Sequence, residues 1–186
     1  TAKCPAPPMH AYLDKLFADL DAAPDLSATR LRDWIQRCPL RLADVEPYCR
    51  FNPARYVRNL LYEGHGYHAL VLCWRSGQRS PIHDHRGSGC AVKVLAGQAI
   101  ETSFRRAPNG MVVPTGSRTL LEGESCYSED ADMHQVSNLQ AGNADLVTLH
   151  VYAPPLLNMS IYDIDGSEPR EYHDPVLTDL TAGAGI

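Results

Sequence analysis

A chain of 186 residues, 44% of them hydrophobic, is long enough for one domain with its own core and a modest extra lobe. Its net charge of −5, without any Lys/Arg run, speaks against a nucleic-acid surface. No stretch reaches the roughly 18–20 apolar residues of a membrane span, and the opening TAKCPAPPMHAY lacks an apolar signal-peptide core, so a cytoplasmic protein is expected.

The first fifty residues read as helical. In MHAYLDKLFADLDAA, Leu13, Leu16, Phe17 and Leu20 fall at i, i+3, i+4 and i+7 and form one apolar stripe. Ser27 can cap the next helix, SATRLRDWIQRC, whose stripe is Leu31, Trp34, Ile35 and Cys38. Pro39 stops it. A third short helix is expected over Ala43 to Arg50. The cysteines are Cys4, Cys38, Cys49, Cys73, Cys90 and Cys126. They form no CxxC pair and are expected as free thiols in a reducing compartment. Cys38, Cys49 and Cys73 lie among Trp, Ile, Tyr and Leu and read as small buried hydrophobes.

After Arg55 the texture changes. YVRNLLYEG, YHALVLCWRSG, CAVKVLAGQAIETSFRR, MVVPTGSRTLLEG, SCYSED and DLVTLHVYAPP each read as strands, separated by Gly-containing turns. Pro108-Asn109-Gly110 marks a hairpin turn. Many short strands punctuated this way predict a mainly-β fold, a jelly-roll or cupin-like barrel, with the helices packed outside. Residues 1–186 are expected to form one domain: a helical lobe over 1–50, the barrel over 51–165 and an extended polar tail over 166–186, its end TAGAGI disordered.

Within the barrel a spaced frame stands out: Gly77, His83-Asp84-His85, Cys90 and Gly97, then His134 with Asn138 four residues on. On a strand, residues i and i+2 point the same way, so His83 and His85 aim two imidazoles at one place and Asp84 faces away. With His134 they outline a metal pocket. Cys90 stands where a metal-binding glutamate is expected. Three neutral imidazoles without a carboxylate leave the metal its full charge, which favours a soft anionic ligand such as a thiolate. Histidine ligands at about 2.0–2.2 Å suit Fe, Zn, Ni or Cu alike. Glu129 and Ala131 depart from the Pro and Gly common at those places in cupins. His10, His65, His68 and His173 read as structural or surface residues.

Thr148, His150 and Tyr152 share one strand face, and Leu149 and Val151 the other. Hydroxyl, imidazole and phenol in a row can form a hydrogen-bond relay that aims the Tyr152 hydroxyl. A cis Ala153–Pro154 bond is open to the chain after this strand. Tyr56 and Arg58 also share a face, and a guanidinium at a barrel mouth is a bidentate carboxylate clamp.

The run YVRN, LCW, IHDH with Cys90 five residues on, MHQVSN and LHVYAPP resembles, in order and spacing, the cysteine dioxygenases, thiol dioxygenases of the cupin superfamily. The resemblance spans about Tyr56 to Pro155. It implies Fe(II) held by His83, His85 and His134. It implies a substrate pocket of Arg58, which binds the carboxylate, with Tyr56, Trp74 and Met159. It places Tyr152 beside the iron, supported by His150, with Thr148 where the animal enzymes have serine. In the animal enzymes the cysteine matching Cys90 forms a thioether with the tyrosine matching Tyr152; many bacterial relatives have glycine there, and this chain keeps the cysteine, so the bond is open to it. Gly89 and Met159 depart from a histidine and a cysteine of the animal form. Relatives acting on 3-mercaptopropionate carry glutamine in place of Arg58, which favours L-cysteine here.

The expected function is therefore oxidation of L-cysteine to cysteine sulfinate with O2, by a monomer whose partners are a small thiol and O2, with no nucleic acid and no membrane. The alternatives are a dioxygenase of another thiol carboxylate such as 3-mercaptopropionate, a zinc cupin isomerase (Cys90 closing a His3Cys site), or a non-catalytic binding cupin.

Overall fold

The computed structural model describes residues 9–129 and 132–178. The expected disorder of TAGAGI, the departure at Ala131 and the thiol of Cys4 lie outside them, as does the side chain of His10.

Helix α1 spans Met9–Asp21 and α2 spans Ala28–Arg37. The Ser27 hydroxyl accepts the Arg30 N–H at 3.4 Å, which satisfies one orphan donor of the first turn of α2. At the other end the Lys93 ammonium donates to the Cys38 carbonyl, placing positive charge at the negative end of the helix dipole. Phe17 stacks between Trp34 and Tyr62, at 5.0 and 4.5 Å, and so joins both helices to the barrel. Asp21 ends α1 by accepting the hydroxyls of Tyr62 and Tyr67 at 2.7 and 3.0 Å. The expected third helix is shorter than its stretch of sequence. α3 covers Leu42–Val45 and passes into a 3₁₀ turn over Glu46–Tyr48, where Pro47 has no N–H for the α-helical ladder.

Among the described residues, twelve strands follow in two six-stranded sheets, the expected mainly-β barrel. The first sheet contains β1 (Val57–Gly64), β2 (Tyr67–Trp74), β4 (Gly89–Ala96), β7 (Ser125–Ser128), β9 (Leu146–Ala153) and β12 (Val176–Leu177), ordered β12-β1-β2-β9-β4-β7. The second contains β3 (Ile82–His83), β5 (Gln98–Arg106), β6 (Val112–Leu121), β8 (Met133–Ser137), β10 (Asn158–Tyr162) and β11 (Arg170–His173), ordered β11-β10-β3-β8-β5-β6. The hairpin at Pro108-Asn109-Gly110 joins β5 to β6, with Gly110 at φ 87°. The Ala153–Pro154 bond is cis.

The period of two decides what each strand buries. On the first sheet, Ala69, Val71, Cys73, Ala91, Leu95, Val147, Leu149 and Val151 pack with Leu13, Phe17, Leu20, Leu31 and Ile35 of the helices. Leu70, Leu72, Trp74, Cys90, Val92, Val94 and Tyr152 turn inward and meet Ala99, Leu120 and Val136 of the second sheet. One sheet thus serves a helix-covered core outside and a second core inside, and the polar pocket opens within the second.

The segment read as an extended tail is not merely that. β11 pairs with β10, β12 pairs with β1, and Asp174 between them is 5% exposed. Polar composition hid these strands, because they are short edge strands and most of their residues are only part-buried or exposed.

Candidate metal centre

His83 and His134 are directly opposed across the β3–β8 pair, so the sheet register sets two imidazoles side by side. His85 is not on a strand, contrary to the expected shared strand face: β3 ends at His83. A turn through Arg86 and Gly87, at φ 44° and 94°, brings the third ring in instead. Asp84 braces that turn from the far side. It accepts the Ser160 N–H at 3.1 Å and the Tyr162 hydroxyl at 2.6 Å. The Arg86 guanidinium reaches Glu171 of β11 at 3.1 Å. The three histidines are buried, with one nitrogen from each within 4.8 Å of the others. No Cys or carboxylate belongs to that group among the described residues.

Their protonation follows from their neighbours. The Pro81 carbonyl lies 3.0 Å from His83 Nδ1, so that nitrogen donates and Nε2 keeps its lone pair. Glu101 Oε1 lies 2.8 Å from His134 Nδ1, so Nδ1 donates to the carboxylate and Nε2 is the nitrogen turned toward the other rings. His134 Nε2 and His85 Nε2 face each other at 3.1 Å. Burial, with the neighbouring histidines adding to it, lowers the pKa of His83 to about 3 and that of His85 well below the ordinary imidazole range. Three buried imidazoles with one nitrogen each gathered in one place are a donor set that suits a divalent transition metal, and the residues present fit such an ion.

Glu101 was not singled out in the sequence. Its signal was there: Ala99 and Glu101 alternate on an inward face of β5, where a carboxylate is out of place unless paired. The pairing is threefold. Besides His134 it accepts the Ser128 hydroxyl at 3.2 Å and is held by the Arg118 guanidinium. Burial opposes its charge, but these partners outweigh it and its pKa falls to about 2.

On the opposite wall stand Thr148, His150 and Tyr152, all buried. Thr148 Oγ1 lies 3.0 Å from His150 Nε2, and His150 Nδ1 lies 3.1 Å from the Tyr152 hydroxyl. Burial, followed by the Arg58 charge, lowers the His150 pKa to about 3. Cys90 is fully buried, is the register partner of Tyr152, and has its Sγ 3.7 Å from His150 Nδ1. Burial raises both the Cys90 thiol and the Tyr152 phenol well above their ordinary values.

Arg58 is 2% exposed. Its two terminal nitrogens donate to the carbonyls of Asp174 and Leu156 at 2.6 and 2.8 Å, and its guanidinium lies 5.6 Å from the Tyr152 ring. Its Nε is a buried donor with no hydrogen-bond partner among the described residues. The nearest acid, Asp174, is 4.0 Å away. Tyr56 donates to the same Asp174 and stacks on Trp74 at 4.2 Å. Asp174 was missed in the sequence because it reaches Arg58 across 116 residues from a polar segment.

A small, tight cavity brings these walls together. Tyr56, Arg58, Trp74, His83, His85, His134, His150, Tyr152, Met159 and Asp174 all line it. Thr148 and Cys90 stand behind it, through His150. A larger groove between α1 and α2, lined by Tyr12, Lys15, Trp34 and Arg37, holds none of these groups. His65 and His68 bound the β1–β2 turn and His173 lies near Asn158 at 3.2 Å, all away from the cavity. The glycine frame has a purely structural explanation. The Gly77 N–H donates to the Asn138 carbonyl at 2.8 Å, and a Cβ on Gly97 would meet the Asp145 carbonyl at 2.5 Å. The Asn138 side chain donates to the carbonyls of Trp74 and Ala144, which ties loops together rather than touching the histidines.

The sequence matches the family model described as Cysteine dioxygenase type I over residues 41–165. It is 38% identical over 126 residues to the cysteine dioxygenase type 1 of Danio rerio, covering 64% of this chain and 62% of that one. To the Rattus norvegicus protein of that name it is 31% identical over 158 residues, covering 82% and 78%. The chain thus spans just under two thirds of the fish protein and just over three quarters of the rat one. Among solved structures, a protein of Thermus thermophilus aligns with a TM-score of 0.51 at 19% identity, over 62% of this chain and 99% of its own. A Klebsiella pneumoniae protein with a double-stranded β-helix domain aligns at 0.50 and 18%, over 64% and 94%. At that identity the two structures speak for the fold alone. No helix among the described residues is long and apolar enough to cross a membrane.

Proposed function

Because the chain belongs to the cysteine dioxygenase type I family, we propose that it oxidises a small thiol carboxylate, L-cysteine foremost, to the sulfinate with O2, using a ferrous ion held by His83, His85 and His134. The observation that carries this reading is one cavity with two complementary walls. One wall offers three buried imidazoles. The other offers Arg58, a buried cation with an unmet N–H donor.

The reaction needs no other reactant: both atoms of O2 pass to sulfur, and the thiol climbs to the sulfinic level of its oxidation ladder. His83, His85 and His134 would hold the ferrous ion, which would supply a Lewis-acidic, redox-active centre that favours thiolate over thiol. The protein does the rest by position. Arg58 takes the substrate carboxylate through its unmet donor and sets its distance from the histidines. Tyr56 is committed to Asp174 and acts as a wall rather than a donor. Met159 and Trp74 close the cavity with apolar surface. Tyr152, aimed by His150 and Thr148, offers a hydrogen bond to the reacting groups. Glu101 keeps His134 in the tautomer that presents Nε2, and offsets part of the metal's charge from behind.

Cys90 stays outside the histidine group, which speaks against a closed His3Cys zinc site. Its register with Tyr152 gives the thioether of the animal enzymes a short path between adjacent strands. That link forms as a sulfur–carbon bond with two hydrogens passed to O2, so intact mass two hydrogens light, restored in Cys90→Ser, is its signature. The described cysteines are all free thiols, which suits the cytoplasm. A monomer completes the reading.

The test is oxygen uptake by iron-loaded protein against L-cysteine, cysteamine, homocysteine and 3-mercaptopropionate, with product identified by mass. One O2 consumed per cysteine sulfinate formed is expected, with the carboxylate-free thiol poorest. Preference for 3-mercaptopropionate would move the substrate within the class. Thiol binding without uptake would replace the enzyme with a binding cupin.

A further inference from the structure

The guanidinium that faces the histidines is not a bare cation. Asp174 is buried against it, with carboxylate oxygen Oδ2 4.0 Å from Arg58 Nε. We propose that Asp174 is a specificity-determining residue: its carboxylate borders the place a substrate carboxylate takes at Arg58 and weakens the pull of Arg58 on it, so that this chain holds thiol carboxylates more loosely than a lone Arg58 would. This rests on the thiol-dioxygenase reading.

The two halves of Asp174 do different work. Its backbone carbonyl accepts from Arg58 Nη1 at 2.6 Å, as the Leu156 carbonyl accepts from Nη2 at 2.8 Å. Those two bonds aim the guanidinium and need no side chain at position 174. Strand pairing supports them, since β12 sets Val176 opposite Arg58. The carboxylate instead accepts the Tyr56 hydroxyl. Burial, followed by the Asp174 charge, raises the Tyr56 pKa well above its ordinary value, so the proton stays on the phenol. Held there, the carboxylate stops short of a hydrogen bond to Arg58 Nε, which has no partner among the described residues.

Charge then decides what the site prefers. Asp174 and Arg58 border the same cavity as the three histidines. An arriving substrate carboxylate fills the unmet Nε donor, but it stands beside a second carboxylate on the same guanidinium. Like charges in a buried site repel far more than in water, because little solvent screens them. Arg58 carries one positive charge, and Asp174 already offsets part of it. A thiol without a carboxylate meets no such conflict.

Asp174→Asn removes the charge, keeps an oxygen for the Tyr56 hydroxyl and leaves the backbone carbonyl in place. The readout is binding of L-cysteine and of cysteamine to cobalt-loaded protein without oxygen, followed by the sulfur-to-cobalt absorption band. Asp174→Asn should tighten L-cysteine about tenfold relative to cysteamine. Asp174→Glu lengthens the acid toward Nε and should loosen L-cysteine relative to cysteamine. It also keeps the charge that balances a buried Arg58, so it serves where Asp174→Asn fails to fold. Both shifts should vanish when Arg58→Ala is added. An unmoved or reversed ratio in either variant, or a shift that persists with Arg58→Ala, overturns the proposal. A wild type that binds both thiols and oxidises neither sinks the enzyme reading, while the ratio still decides Asp174.

Discussion

Along β9, Val147, Leu149 and Val151 face the helices while Thr148, His150 and Tyr152 face the other way, the last two lining the cavity, and all six are buried. The outer face is apolar and needs only volume and shape. A methyl group there has many neighbours and no single indispensable partner. The inner face is polar, and each group has named partners at about 3 Å. Removing one member orphans the next, because buried donors and acceptors have nowhere else to turn. A strand's two-residue period thus sorts stability to one side and chemistry to the other within a single eight-residue element.

The largest effect that would sharpen this contrast belongs to the inner cavity. His134→Ala should leave the fold intact by circular dichroism yet lose more metal affinity than the 10- to 100-fold typical of removing an outer-shell partner, measured by competition with a chelator, and turnover should vanish with the metal. A variant that keeps full metal and activity would break the contrast. On the outer face, Leu149→Ala should cost about 2–5 kcal/mol in denaturant unfolding, with turnover per bound iron unchanged. A selective loss of turnover would show that the two faces are not separable.

Arg58→Ala comes next. Its KM for L-cysteine should rise about 10- to 100-fold, the scale of one hydrogen bond to a charged group, with iron content retained and cysteamine much less affected. The smallest effect is at the helix junction. The hydroxyls of Tyr62 and Tyr67 and the His65 N–H, acting against some burial, hold the Asp21 carboxyl below its ordinary range. A depressed carboxyl adds stability above the unfolded-state value, and that stability fades as pH falls through the folded one. The stability gap between wild type and Asp21→Asn should therefore be present at neutral pH and shrink below about pH 4 in pH-dependent unfolding.

Much of both regions was readable before any coordinates. The stripe Leu13, Leu16, Phe17, Leu20 and the alternation of β9 are local periodicities, and local periodicity survives folding. His83 and His134 were legible as residue types in a spaced frame, although the frame's glycines and Asn138 prove to serve loop geometry. What escaped was long-range or contrary to local pattern. Glu101 and Arg118 meet across a hairpin, and Asp174 reaches Arg58 from a segment whose composition says only polar tail. His85 joins the other two histidines, but from a positive-φ turn rather than from the strand assigned to it. Pro47 tightened a helix that propensity alone would have extended.

The most direct test of the central claim is X-ray absorption at the iron edge of the ferrous protein, before and after L-cysteine. The expected result is a resting centre with nitrogen and oxygen scatterers only, and a sulfur that appears when L-cysteine is added. A sulfur already present at rest and abolished by Cys90→Ser would contradict it, because the protein itself would then fill the place kept for the substrate.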